Sequence, residues 1–234
     1  MRVLGAVAVA PVLVAQALHV RRMTPRLPGA AGPVEGAVAG HGEPFRLAVL
    51  GESTADGVGA ATHDEALAGQ LARALARDGR AVSWQVAGRT GANAGTVRDD
   101  LVPLVRPADL VLVALGVNDT TELHTATRYR RDLLGLVVAL RRRLGEVDVV
   151  LAGVPPMGRF PGLPRPLRDV LAARSAALDA AAAELSRLPR VLHAPMRPTL
   201  LDGTTFAEDR FHPGPRGYTR WADELADAYF LHLR

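Results

Sequence analysis

Four short clusters in this 234-residue chain carry side chains that could act together on an ester carbonyl. Ser53, in Gly51-Glu52-Ser53, offers a hydroxyl on a turn whose small neighbours leave it accessible. His212 offers an imidazole of the type that titrates near neutral pH, and Asp209, three residues earlier, can hold one ring nitrogen while the other faces the serine. Acyl transfer by serine needs this trio: a nucleophile, a base to take its proton and an acid to orient the base. It also needs hydrogen-bond donors for the oxyanion. The backbone N–H of Ser53, the backbone N–H of Gly88 and the side-chain amide of Asn118, in Gly116-Val117-Asn118-Asp119, are the candidates. Asp56 and Asp119 compete with Asp209 for the place of the acid, although turn and supporting hydrogen bonds suit both better.

Residues so far apart meet only if the fold gathers them. Apolar runs of strand length occur at 45–51, 82–87, 109–116, 147–153 and 190–195, and most are apolar throughout. Continuous apolarity means burial on both faces, as in a parallel sheet covered by helices. Segments of helical spacing lie between them and a last one runs over 218–233. The expected fold is therefore a three-layer α/β/α sandwich around a five-stranded parallel sheet. In such sheets functional loops lie beyond the carboxyl ends of the strands. Ser53, Gly88, Asn118 and the Asp209/His212 pair follow the first, second, third and fifth runs in turn. After the fourth comes Pro155 to Leu163, where Met157, Phe160 and Leu163 could wall a substrate site and Arg159 could meet an anionic head group. The same apolar residues would equally pack inward.

Three regions divide the chain. Residues 1–20 are hydrophobic: Val3 to Val20 carries no formal charge, and 18 residues make about 27 Å of helix, nearly a bilayer span. A membrane anchor, a secretory signal cleaved near Ala15-Gln16-Ala17 and a packed helix interrupted by Pro11, Gln16 and His19 are all compatible with it. For an anchor, Arg21, Arg22 and Arg26 against Arg2 favour a catalytic domain on the cytoplasmic side, with secretion as the alternative. Residues 21–44, rich in Pro, Gly and Ala without periodicity, are expected to be a linker. Residues 45–234 form the remaining domain.

Composition narrows the chemistry. With no cysteine there is no disulfide, thiolate nucleophile or zinc knuckle. With no lysine there is neither a Walker A phosphate loop nor a Schiff base to pyridoxal phosphate. The pI of 10.5 accompanies a net charge of only +4 and reports missing alkaline buffers more than a basic surface, so no nucleic-acid partner is expected. The arginines at 128, 130, 131 and 141–143 flank one helical segment, where solvated ends explain them. Gly57-Val58-Gly59 lacks the third glycine of a dinucleotide fingerprint, and the seven histidines show no zinc spacing. No cofactor and no metal are expected.

Taken in order, the four clusters resemble the SGNH or GDSL hydrolases. The family's Gly-Asp-Ser block resembles Gly51-Glu52-Ser53, its second-block glycine matches Gly88, its Gly-x-Asn-Asp block is Gly116 to Asp119, and its Asp-x-x-His block is Asp209 to His212. The resemblance covers about residues 45–232 and departs at Glu52, which stands where the family has Asp. It implies a flavodoxin-like sandwich and a serine esterase or lipase acting on carboxylic esters or thioesters through an acyl-enzyme on Ser53. Carbohydrate O-deacetylation or acyl transfer could use the same site. A silent, membrane-anchored module binding an acylated ligand is the alternative of a different class.

Overall fold

The computed structural model describes residues 2–233, with side chains from Ala10 onward. Its centre is a six-stranded sheet in the order β1-β3-β2-β4-β5-β6. The five parallel strands are β2 (Phe45–Gly51), β3 (Val82–Gly88), β4 (Leu110–Ala114), β5 (Asp148–Ala152) and β6 (Val191–Ala194). These are the five apolar runs of the sequence. The chain crosses over between neighbours, so β3 and β4 flank β2 on opposite sides and the order reverses at β2. That reversal opens a crevice beyond the carboxyl end of β2, directly above Ser53.

Helices cover both faces. On one, α2 (Leu67–Leu75) and α7 (Pro215–His232) bury Leu67, Leu71, Tyr218 and Trp221 against Leu47, Val49 and Leu112. On the other, α5 (Ala126–Leu144) and α6 (Leu167–Ala183) bury Tyr129, Leu133, Leu136 and Leu178 against Leu50, Val111 and Val113. β4 is buried along its whole length, which is why its sequence shows no alternation. The helical segment expected around 94–105 is irregular: after α3 (Ala94–Thr96) the chain widens into a π-helical turn over Val97–Leu101 and tightens into a 3-10 turn over Val102–Leu104. Pro103 removes an N–H there, and a regular helix does not form.

The sequence expectation for 21–44 is revised here. Residues Glu35–Val38 form β1, antiparallel to β3 at the sheet edge, with Glu35 opposite Gln85 and Val38 opposite Val82. Its Gly-Ala composition gives no strand signal, and the pairing is set by tertiary packing. A Cβ on Gly36 would lie 2.5 Å from the Trp84 ring, so only glycine lets the strand close over that indole. Further along, Ala30 N–H donates to Asp56 O at 2.9 Å, and Ala31 bridges to Thr62. The segment is a strap fastened along the domain.

α1 (Arg2–Met23) docks on the domain by one side. Gln16 fixes it: its Nε2 donates to Arg165 O at 2.6 Å and its Oε1 accepts from Leu167 N–H at 3.0 Å, while Leu13 and Val20 pack against a cluster of Met157, Phe160, Leu163, Leu167 and Leu171. Val12, Val14, Leu18 and Met23 remain exposed. Among the described residues no helix is long and apolar enough to cross a membrane. Residues 3–9 of the apolar stretch lie outside the described side chains.

Candidate active site

Ser53 sits on the turn leaving β2. The preceding Gly51 runs so close to β4 that a Cβ there would lie 2.1 Å from Ala114 O, which brings the Ser53 turn and the Asn118 turn side by side. Val58 N–H closes the turn on Ser53 O at 3.0 Å, and the Ser53 N–H makes no hydrogen bond within the protein among the described residues. The Ser53 hydroxyl donates to His212 Nε2 at 2.8 Å. The His212 Nδ1–H in turn donates to Asp209 Oδ2 at 2.5 Å.

The loop bearing Asp209 and His212 is folded on itself. Asp209 Oδ1 accepts from the N–H groups of Phe211 and His212 at 2.9 and 3.0 Å. Arg210 between them adopts the left-handed region at φ +63°, the sharp bend that lets one carboxylate serve both amides and the ring. Ala207 N–H bonds His212 O at 2.8 Å, and Tyr218 Oη–H reaches across to Val58 O at 2.6 Å, tying α7 to the serine turn. Burial by itself would raise the Asp209 pKa, but the hydrogen bonds from the His212 ring and the two amides outweigh it and hold the carboxyl below its usual range. Asp209 is therefore an anion at neutral pH, suited to steadying an imidazolium.

Asp56 and Asp119 point elsewhere. Asp56 accepts from Thr90 N–H and Oγ–H at 3.2 and 2.7 Å. Asp119, fully buried, accepts from Ala94 N–H at 3.0 Å and meets His124 Nδ1 at 2.8 Å. Of the three candidate acids, Asp209 alone hydrogen-bonds His212.

Glu52 has a role that the sequence did not disclose. Its buried carboxyl group reaches under the neighbouring turn and accepts from the N–H groups of Val117 and Asn118 at 3.0 and 2.9 Å, the first turn of α4 (Val117–Thr121). Two orphan amides of that helix start are thereby satisfied. Asn118 is held at its other end too, its Nδ2 donating to Ala92 O at 3.0 Å, which leaves one amide hydrogen for the cavity. Burial pushes the Glu52 pKa up to about 8 against the opposing pull of the two amides.

These groups stand at one wall of a cavity of about 820 Å³, a size suited to a small organic ligand. Ser53, Asn118, Asp209 and His212 all line it. Gly88 does not: it ends β3 beside Gly51 and backs the serine turn, where a Cβ would lie 2.4 Å from Asp56 N, while Thr90 and Gly91 form the cavity surface. The substrate loop also differs from expectation. Phe160 lines the cavity, but Met157 is buried beneath it among Leu163, Leu167 and Leu171, and Arg159 is exposed and does not line it. Apolar residues of the loop pack inward because α1 and α6 close over them. In place of Arg159, the cavity has Val20, Arg21, Thr24, Arg26 and Leu27 from the end of α1 and the strap. Among the described residues no group of three or more His, Asp or Glu side chains could hold a metal ion.

A parallel sheet with a serine, histidine and aspartate in hydrogen-bonded series at its carboxyl edge is the arrangement of a serine hydrolase. Residues 49–220 match the GDSL-like lipase/acylhydrolase family, and the chain belongs to that family of ester-hydrolysing enzymes. The GDSL-like esterase Rv1075c of Mycobacterium tuberculosis is 30% identical over 95% of this chain and 76% of its own length. The lipase Lip_vut3 from a goat rumen metagenome shares the fold at a TM-score of 0.65 and 18% identity, over 79% of this chain and 97% of its own. A family 3 carbohydrate esterase of Clostridium thermocellum does so at 0.60 and 14%, over 81% and 94%. Relatives of one fold thus carry names of lipid and of carbohydrate esterases, and the fold alone does not select the substrate.

Proposed function

We propose that this enzyme hydrolyses carboxylic esters through an acyl-enzyme on Ser53. Ser53 Oγ attacks the carbonyl carbon while His212 Nε2 takes its proton. The oxyanion forms against the Ser53 N–H and the free hydrogen of Asn118 Nδ2, the two candidate donors whose residues line the cavity. Each such donor contributes about 3 to 4 kcal/mol of transition-state stabilisation. As the tetrahedral intermediate collapses, His212 passes the proton to the departing alkoxide oxygen and the alcohol leaves. A water, deprotonated by the same imidazole, then attacks the acyl carbon and restores the Ser53 hydroxyl as the acid departs. Asp209 keeps Nδ1 protonated throughout and remains ionised.

The observation that carries the reading is the unbroken series from Ser53 Oγ through His212 to Asp209 in a cavity wall. The other walls are mainly apolar, with Val58, Phe160, Phe206 and Leu201, which favours an aliphatic acyl or alkyl part over a bare sugar. A fluorophosphonate probe on the full chain tests it together with p-nitrophenyl acetate, butyrate and octanoate. An adduct mapped to Ser53, absent in Ser53→Ala and accompanied by ester turnover, is expected. A folded protein that neither labels nor turns over any of the three esters refutes the reading and favours a silent acyl-binding module.

A further inference from the structure

The cavity is apolar along its walls and cationic at its rim. Arg21 and Arg26 line it together with Ser53 and His212, and both side chains are exposed. No carboxylate pairs with either among the described residues. Some arginines of the same domain are paired, Arg89 with Asp100, Arg220 with Asp202 and Arg46 with Asp109, but Arg21 and Arg26 are the arginines that line the cavity. Nor do the acids of the cavity compensate the two cations. Asp209 is engaged by His212, and Glu122 receives Asn93 Nδ2 at 2.7 Å and lies 3.2 Å from His124 Nε2.

The backbone that carries the two arginines is fastened on both sides. Upstream, Gln16 and Val20 fasten α1 to the loop before α6. Downstream, Ala30 is bonded to Asp56, whose carboxylate fills the space a Cβ on Gly29 would need. The chain from Arg21 to Leu27 is suspended between these two fastenings across the cavity mouth. Guanidinium groups are suited to carboxylate and phosphate oxygens, which they can bind in pairs.

We propose that Arg21 and Arg26 determine specificity by binding an anionic group, carboxylate or phosphate, carried by an otherwise apolar ester. The inference rests on the Ser53 esterase reading and adds the class of substrate. Charge on the acyl side and charge on the alcohol side would meet the same pair, so two matched couples of esters distinguish them. Mono-p-nitrophenyl suberate is compared with its methyl ester, and lauroyl glycerol phosphate with monolauroyl glycerol. The wild-type chain is expected to favour the anionic member of one couple by about two- to thirty-fold in kcat/KM, the range for two solvent-accessible ion pairs. That preference falls as salt is raised. It collapses in the double variant Arg21→Gln, Arg26→Gln, where the anionic-to-neutral ratio cancels any general loss of activity. Equal rates within both couples, or a preference that survives in the variant, overturns the proposal. Failure of the wild type on every one of the four esters refutes the esterase reading instead.

Discussion

The ionisation of Glu52 offers a quantitative test of how the Asn118 turn is supported. In the folded protein this carboxyl group is buried and titrates at about 8 against an ordinary value of 4.5. The native state therefore binds one more proton than the unfolded chain between those two values. Stability falls where the unfolded state binds fewer protons, so this group's contribution is fully present below pH 4.5 and is lost as pH rises toward 8. A shift of that size corresponds to about 5 kcal/mol at most, a large fraction of the stability of a domain. In Glu52→Gln the titration disappears. One amide hydrogen bond goes with it, because the Gln NH2 faces a backbone N–H, which costs about 1 to 3 kcal/mol at every pH. Urea denaturation at pH 5 and pH 9 is expected to show the wild type losing several kcal/mol more than the variant across that interval. The variant should be less stable at pH 5, and the two curves should approach or cross by pH 9. Parallel curves would refute the argument, since they would mean that Glu52 titrates normally in the fold.

Three further outcomes follow from the site geometry. Asp209→Asn should lower kcat by about 10³- to 10⁴-fold in steady-state ester hydrolysis while leaving the denaturation midpoint nearly in place, since the amide favours the wrong histidine tautomer; a larger loss in Asp56→Asn or Asp119→Asn would mean that the acid is misassigned. Asn118→Ala should reduce kcat about 10²- to 10³-fold with little change in KM, because the lost donor acts on the oxyanion. Gly59→Ala should impair folding or activity strongly: Gly59 has φ +95°, and its Cβ would lie 2.3 Å from Pro213 O, beside His212. Wild-type kinetics and thermal stability in that variant would show that the serine and histidine loops are not braced there.

Legibility from sequence followed physical cause. The five parallel strands were readable because burial on both faces leaves an unbroken apolar run, and the chemical residues were readable because each follows such a run. Asp209 and His212 lie on a self-contained loop, so their spacing alone suggested their pairing. β1 was hidden because its stability comes from Trp84 and the β3 backbone and leaves no mark on Glu35 to Val38. Met157 and Arg159 were misplaced because a loop seen without α1 has no cover to pack under. Glu52 was visible as a departure from the family block, but its partners are 65 and 66 residues away. Gln16 looked like a flaw in a hydrophobic segment; in the fold it is the residue that fastens the helix.

Gln16 also bears on how the two proposals, for catalysis and for specificity, divide between different parts of this chain. In the proposed mechanism the nucleophile, base, acid and oxyanion donors come from loops that follow strands of the sheet. The cavity mouth comes from residues 20–27, whose position depends on two fastenings, at Gln16 and at Asp56. That segment makes no hydrogen bond to Ser53 among the described residues, and it carries Arg21, Arg26 and part of the apolar wall. Weakening the first fastening should therefore act on substrate binding rather than on chemistry. Gln16→Ala removes both hydrogen bonds to the loop before α6 and leaves Arg165 O and Leu167 N–H to water, a loss of about 1 to 3 kcal/mol in docking. The expected result is a KM for long-chain esters raised by up to about 5- to 150-fold, 1.4 kcal/mol being tenfold, with kcat for p-nitrophenyl acetate essentially unchanged. An equal fall in kcat for short and long esters would show instead that α1 supports the catalytic residues themselves.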